Sequence, residues 1–437
     1  MNITQFTMEE VRCFAGRQEF EIRPLTFLVG ENSTGKTTAL ACFQKLANYL
    51  WDGEIDFNSH PYSMGTFKDI VRKTTKKEKA FKLGFILTGS RKTDTVEHTV
   101  EFVEKEGGIE PTVRSLILEF TDGEIMIKAD DTKEGDIRFM TCDKEQNKYR
   151  IDVHSAFLDR NSPLFLLELP MHRTEQQSED ERAIADYLKK KRGDTMYPWW
   201  EMSPGSVFST SPVRSQPKRT YDPTREFDDP EGSDIPMRLM RTKATDEERW
   251  EGLKAKLIDF GKDSGLFQNI EVKNLGRSMG NPFQLTVRVR GPNSNIIDVG
   301  YGVSQILPIL VHIFDSSIRH RYRSRNLFLL QQPEVHLHPR AQAALSSLLT
   351  SVAGRGRGEP SFIVETHSDY MIDRARIEIR KGTIHPENVS LIYLEPKGRV
   401  VNVHNISFDK KGHMKGVPPH YRDFFLKETD RLIGFED

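Results

Sequence analysis

Gly30-Glu31-Asn32-Ser33-Thr34-Gly35-Lys36-Thr37 constrains this chain more than any other stretch. It follows Leu25-Thr26-Phe27-Leu28-Val29, which reads as a buried strand. It precedes residues 38–50, where Leu40, Phe43, Leu46 and Leu50 recur at spacings of three and four, as on one face of a helix. Glycines at 30 and 35 let the backbone fold so that successive N–H groups point at one anion, and the start of the helix adds its positive dipole end. Lys36 has the reach for β- and γ-phosphates, and the Thr37 hydroxyl suits Mg²⁺. The candidate nucleotide contacts are therefore Gly30, Asn32, Ser33, Thr34, Gly35, Lys36, Thr37 and Thr38, with ATP and Mg²⁺ as the implied ligands.

The 437 residues suit one large domain with insertions, or two to three modules. With 37% hydrophobic and 29% charged residues, the chain affords a core and a heavily charged surface. A formal net charge of -1 supplies no global field toward nucleic acid or membrane, so any anion binding must come from local patches. No run approaches the roughly 20 apolar residues of a membrane span, and the first residues lack the apolar stretch of a secretory signal. Cys13, Cys42 and Cys142 lie far apart, without metal or redox spacing, and suit a reducing cytosol. The expected location is cytoplasmic, with no membrane partner.

Short alternating runs between about 80 and 170, separated by Gly, Asp and Lys turns, predict an antiparallel β region. Residues 171–267 change character. A charged helix is expected over Glu179–Arg192, then a loop rich in Pro, Ser and Asp. A capping box follows at Thr245-Asp246-Glu247-Glu248, opening a helix that buries Trp250, Leu253, Leu257 and Phe260. These residues read as an insertion between two halves of one core, residues 1–170 and 268–395, with 396–437 as a C-terminal tail.

Three later segments carry polar groups at the ends of regular elements. Asp298-Val299-Gly300-Tyr301-Gly302-Val303-Ser304-Gln305 places two glycines and a serine at the start of an apolar helix, an anion-facing arrangement. Leu327–Leu330 is a buried strand that ends in Gln331-Gln332-Pro333-Glu334, at the edge where open α/β sheets hold ligands. His336 and His338 follow. Their setting favours a solvated or inter-subunit turn over a metal site. Phe362–Val364 is a further strand, leading to Glu365-Thr366-His367-Ser368, and His367 is placed to polarise a γ-phosphate.

Taken in this order, the four segments resemble the head of an ABC-type ATPase, specifically the branch of RecF-like, SMC-like and OLD-type (overcoming lysogenization defect) proteins. Val11-Arg12-Cys13-Phe14 and Gln332-Pro333-Glu334-Val335-His336-Leu337-His338-Pro339 also fit that branch. The resemblance implies an α/β fold: a P-loop core sheet with an antiparallel β subdomain, interrupted by a largely helical and loop insertion. It further implies a homodimer in which each ATP lies on one subunit's P-loop and is capped by Gly302 and Ser304 of the other. His367 would then be the switch histidine, and higher homo-oligomers are open.

The chain departs from the family at the expected acids. Position 331 usually carries the Mg²⁺-linked acid and 332 often the general base, yet both are Gln. A neutral amide cannot take a proton from water at pH 7. Gln331 remains the candidate metal contact beside Thr37. Gln331, Gln332, Glu334 and His367 are the candidate catalytic positions. Glu334 is the nearest carboxylate in sequence, and it either stands in as the base or shapes the turn. The doublet is either native or a hydrolysis trap. No Gln lies between Gln44 and Gln146 to serve as the family's sensing loop.

Within the resemblance, the chain is similar to stand-alone ATPase subunits of two-gene anti-phage systems of PARIS and Septu type. Their partner is a separate nuclease or effector, and a phage protein is a candidate trigger. The alternative is a RecF-like repair clamp that binds DNA through basic patches. The candidates are Arg72, Lys73, Lys76, Lys77 and Lys79; Lys189–Arg192; and Arg214, Lys218 and Arg219 beside Tyr221.

Overall fold

The computed structural model describes residues 2–52, 55–73, 79–88, 95–105, 108–120, 123–130, 136–143, 148–154, 207–223, 229–276, 280–318, 327–354, 359–419 and 421–433. The expected helix over Glu179–Arg192 and its basic end, with Lys76 and Lys77, lie outside the described residues.

The chain opens on a hairpin, β1 (Asn2–Val11) and β2 (Phe14–Glu21), and enters β3 (Leu25–Gly30) just before the P-loop. Helix α1 (Lys36–Asp52) follows, then one short turn, α2 (Phe67–Ile70). Leu40, Phe43, Leu46 and Leu50 are all buried, as their spacing predicts. Strands β4 (Phe81–Thr88), β5 (Thr95–Glu104), β6 (Pro111–Phe120), β7 (Gly123–Asp130), β8 (Asp136–Asp143) and β9 (Lys148–His154) form the expected antiparallel ladder. The hairpin extends that ladder, giving the order β2-β1-β4-β5-β6-β7-β8-β9.

The second sheet carries the P-loop. Its order is β10-β14-β15-β3-β16-β17-β18, with β10 (Val207–Ser209), β14 (Leu327–Gln331), β15 (Ser361–Glu365), β3 and β16 (Val389–Lys397) mutually parallel. Strands β17 (Val400–Phe408) and β18 (Met414–Lys415) close it antiparallel. The P-loop strand from the start of the chain thus lies between two strands from its end. Both faces of this sheet are covered, so its strands read as continuous apolar runs. Leu28, Leu327, Leu329 and Ile363 face the core shared with α1 and the antiparallel sheet. Leu25, Phe27, Phe328, Leu330, Phe362 and Val364 face the opposite, mainly helical core.

That second core is built by α3 (Ile235–Thr245), α4 (Glu247–Ser264), α5 (Tyr301–Ile318), α6 (Pro339–Val352) and α7 (Asp369–Lys381), with a small sheet of β11 (Asn269–Asn274), β12 (Phe283–Arg288) and β13 (Ser294–Asn295). Helix α8 (Asp423–Leu432) ends the described chain. Residues 207–264, read from sequence as part of an insertion, supply β10 to the P-loop sheet and α3 and α4 to this core. Trp250, Leu253, Leu257 and Phe260 of α4 are buried as expected. The cap differs. Asp246, not Thr245, is the N-cap, its carboxylate accepting from Arg249 N–H, while Thr245 ends α3 and its hydroxyl donates to the Arg241 carbonyl. An acid at the N-cap serves the helix as well as a hydroxyl, which is why the register slips by one.

Candidate functional site

The backbone of the P-loop alternates in hand. Gly30, Ser33 and Gly35 have φ of 153°, 65° and 87°. Such alternation turns consecutive N–H groups toward one point and makes an anion-binding concavity. Glycine is required twice over. A Cβ at Gly30 would lie 2.7 Å from the Leu394 carbonyl oxygen, and one at Gly35 would lie 2.8 Å from the Phe14 ring. The Thr34 hydroxyl donates to the Glu31 carbonyl at 2.8 Å and braces the loop. The Lys36 ammonium donates to the carbonyls of Gly30 and Glu31 at 3.0 and 2.7 Å, across the mouth of the concavity. Burial lowers the Lys36 pKa from its ordinary value. Thr38 accepts from the Arg12 guanidinium at 3.0 Å. Arg12 also donates to the Met64 and Asp69 carbonyls, fastening the β1–β2 turn to the loop helix and to residues 64–69.

Two strand ends meet Thr37. Gln331 and Glu365 are paired in the parallel register of β14 and β15. The Gln331 amide nitrogen donates to Thr37 Oγ1 at 3.0 Å, and that hydroxyl lies 3.0 and 3.1 Å from the two Glu365 carboxyl oxygens. Burial pushes the Glu365 carboxyl up to about 7, against the opposing effects of the Thr37 hydrogen bond and the Lys36 charge. The Tyr62 phenol is buried close enough to feel the Glu365 charge, and its hydroxyl has no hydrogen-bond partner. The Thr37 hydroxyl and the Glu365 carboxyl, beside a phosphate concavity, supply oxygen donors of the kind that Mg²⁺ takes, so the residues fit both expected ligands.

Glu334 is buried. Its Oε1 accepts the His367 backbone N–H at 2.7 Å, its Oε2 has no hydrogen-bond partner among the described residues, and burial raises its pKa. The tie fixes the turn after β15 to the turn after β14. His367 itself is exposed, and its ring is pushed toward neutrality by partial desolvation first and by the Lys36 charge second. Gln332 takes a left-handed φ of 43°, and its N–H donates to the Glu365 carbonyl at 2.9 Å.

Gly302 and Ser304 fall within the first turn of α5 and are buried. A Cβ at Gly302 would lie 2.7 Å from the His336 carbonyl oxygen, so this glycine permits a close approach to the turn after β14. The Ser304 hydroxyl donates to the Tyr301 carbonyl at 2.9 Å. The exposed residues of this turn are Gly300 and Tyr301, and the Tyr301 ring meets His336 edge to face. His338 caps α6, accepting from the Arg340 N–H. Among the described residues no group of three or more His, Cys, Asp or Glu is placed to hold a metal.

Sequence reasoning missed Glu365, Arg12, Tyr62 and a clasp on Gln331. Thr210 Oγ1 accepts the Gln331 N–H at 3.1 Å, and the guanidinium of Arg214 donates to its carbonyl at 3.3 Å. Arg214 is therefore 1% exposed, which removes it from the basic surface patch in which the sequence placed it. Arg219 is bound to Asp298, and Arg72 to Glu10. Lys73, Lys79 and Lys218 remain exposed. The only local signal for Glu365 was its place at the end of a buried strand.

A phosphate concavity between a central parallel strand and an amphipathic helix, with two neighbouring strand ends converging on Thr37, defines a P-loop ATPase. Residues 25–373 match the family described as "AAA domain, putative AbiEii toxin, Type IV TA system", and the chain belongs to that family. It is similar to the OLD nuclease of Thermus scotoductus, with 23% identity over 403 residues, 89% of this chain. The chain spans 64% of the length of that relative. Among solved structures it is similar to the SMC head domain from Thermotoga maritima (9% identity, TM-score 0.36, covering 92% of this chain and 98% of that one). A second is the Smc head with an extended coiled coil, bound to the C-terminal domain of ScpA, from Pyrococcus furiosus (8% identity, TM-score 0.42, covering 98% and 99%).

Proposed function

We propose that this ATPase is the ATP-gated sensor and scaffold subunit of a cytoplasmic anti-phage defence complex, working with a separate nuclease or effector. The observation that carries the nucleotide part is the meeting of Lys36, Thr37, Gln331 and His367 around one concavity. The defence part is supported by the family's description as a putative toxin and by the likeness to an OLD nuclease.

In this reading the loop N–H groups and Lys36 hold the β- and γ-phosphates. Thr37, with Gln331 beside it, would hold Mg²⁺, which when bound would neutralise charge on the phosphate oxygens. His367, its ring pushed toward neutrality, would face the γ-phosphate. The tie between Glu334 and the His367 backbone carries the arrangement of that turn to the turn after β14, against which Gly302 of α5 rests. ATP state is thereby coupled to the start of α5, whose exposed residues meet a second copy across the nucleotide. Positions 331 and 332 place no acid beside the attacking water, so the ATP-bound assembly persists.

The test is affinity capture of the tagged protein with the products of its neighbouring genes, with ATP and without nucleotide. ATP-dependent retention of one nuclease-like chain is the expected outcome. Direct, salt-sensitive binding of duplex DNA by the lone protein, with no such chain retained, would favour the repair clamp instead.

A further inference from the structure

A P-loop site needs a negative charge near its threonine, because Mg²⁺ is a hard cation held by oxygen donors and usually by one or two carboxylates. The strand that normally supplies one, β14, ends here in Gln331. Yet a carboxylate is present at the same height on the next strand. Glu365 is the register partner of Gln331, and both its carboxyl oxygens lie within 3.1 Å of Thr37 Oγ1. It is 2% exposed, so this charge is not a solvated surface acid. Glu334, the other nearby acid, has one oxygen committed to the His367 N–H.

We infer that the acidic Mg²⁺ ligand of this ATPase has moved one strand over: Glu365 at the end of β15 provides the charge, and Gln331 at the end of β14 provides a neutral partner. Two independent features support the relocation. The Gln331 amide nitrogen is turned to Thr37, completing a continuous row from Gln331 to Thr37 to Glu365. The Tyr62 hydroxyl, buried within reach of the Glu365 charge, has no hydrogen-bond partner among the described residues. A buried donor of this kind is expected to meet something that arrives with the ligand. The arrangement also explains how a strand end with two glutamines is compatible with a functional site. The number of carboxyl groups on Thr37 matches that of a site with one acid on β14, and only its address differs.

The inference rests on the P-loop reading, and its test separates the two. ATP affinity is measured by calorimetry with Mg²⁺ and with EDTA, and binding of Mn²⁺ with ATP is followed by electron paramagnetic resonance. Lys36→Ala should weaken ATP binding under both conditions; if it does not, the P-loop reading itself fails. Glu365→Gln should leave ATP affinity in EDTA nearly unchanged, which also shows that the protein is folded, while reducing the gain from Mg²⁺ by about tenfold or more. Glu334→Gln should retain that gain. The double variant Glu365→Gln with Gln331→Glu should recover most of it, because the charge returns to the same Thr37 from the neighbouring strand. Undiminished Mg²⁺ gain and Mn²⁺ signal in Glu365→Gln, or equal losses in Glu334→Gln, would overturn the assignment.

Discussion

At the scale of single residues, catalysis turns on which groups can take a proton. Gln331 and Gln332 cannot, and general-base assistance commonly contributes about 10²–10⁴-fold. Hydrolysis by the protein is therefore expected to be well below the roughly 10 s⁻¹ median of enzymes. Glu334 is a buried carboxylate with one oxygen that has no hydrogen-bond partner among the described residues, and burial raises its pKa. Glu334→Gln should thus remove most of the residual rate, and Gln332→Glu should change little, in single-turnover phosphate release. Fast turnover that survives Glu334→Gln would contradict this. Lys36, Thr37, Gln331 and His367 were legible in the sequence because each belongs to a motif whose local structure fixes its place. Glu365 was not, because a strand-end acid becomes a site residue only through the β14–β15 register, which no short-range pattern records.

At the scale of elements, period and burial were readable where one strand or helix decides them. The P-loop strand, α1, the ladder β4–β9 and the apolar face of α4 all follow from spacing. What escaped was long-range assembly: β10, three residues long, is a strand only because β14 lies beside it. The antiparallel ladder also contains a polar group that its pattern hides. His98, in β5, is fully buried, and neither ring nitrogen has a hydrogen-bond partner among the described residues. Burial lowers its pKa from 6.5 to about 4. Above pH 6.5 both folded and unfolded chains carry the ring neutral, and stability is complete. Below that, the unfolded chain gains a proton that the folded chain refuses. Stability is then lost between pH 6.5 and 4, by roughly 3 kcal/mol from this residue. Denaturant unfolding as a function of pH should show the loss, and His98→Leu should flatten it. An unchanged acid limb in His98→Leu would contradict the assignment.

At the scale of the whole molecule, the proposed unit is a pair of chains with ATP between them. The sequence assigned the partner-facing contact to Gly302 and Ser304, but these are turned inward, and Gly300 and Tyr301 are the exposed residues of that turn. A Cβ at Gly300 meets nothing within 4 Å, so Gly300→Arg should leave the monomer folded. It should block ATP-driven pairing in light scattering, and undiminished pairing would contradict the sandwich. All of this depends on nucleotide lying on the loop that Lys36 spans. The most direct measurement is calorimetric titration of ATP with Mg²⁺ into the purified protein and into Lys36→Ala, with circular dichroism to confirm that both are folded. The account predicts saturable binding by the parent protein and a loss of about 100-fold or more in the variant, as removal of a buried cation from two phosphates requires. Equal ATP affinity in the two folded proteins would contradict it.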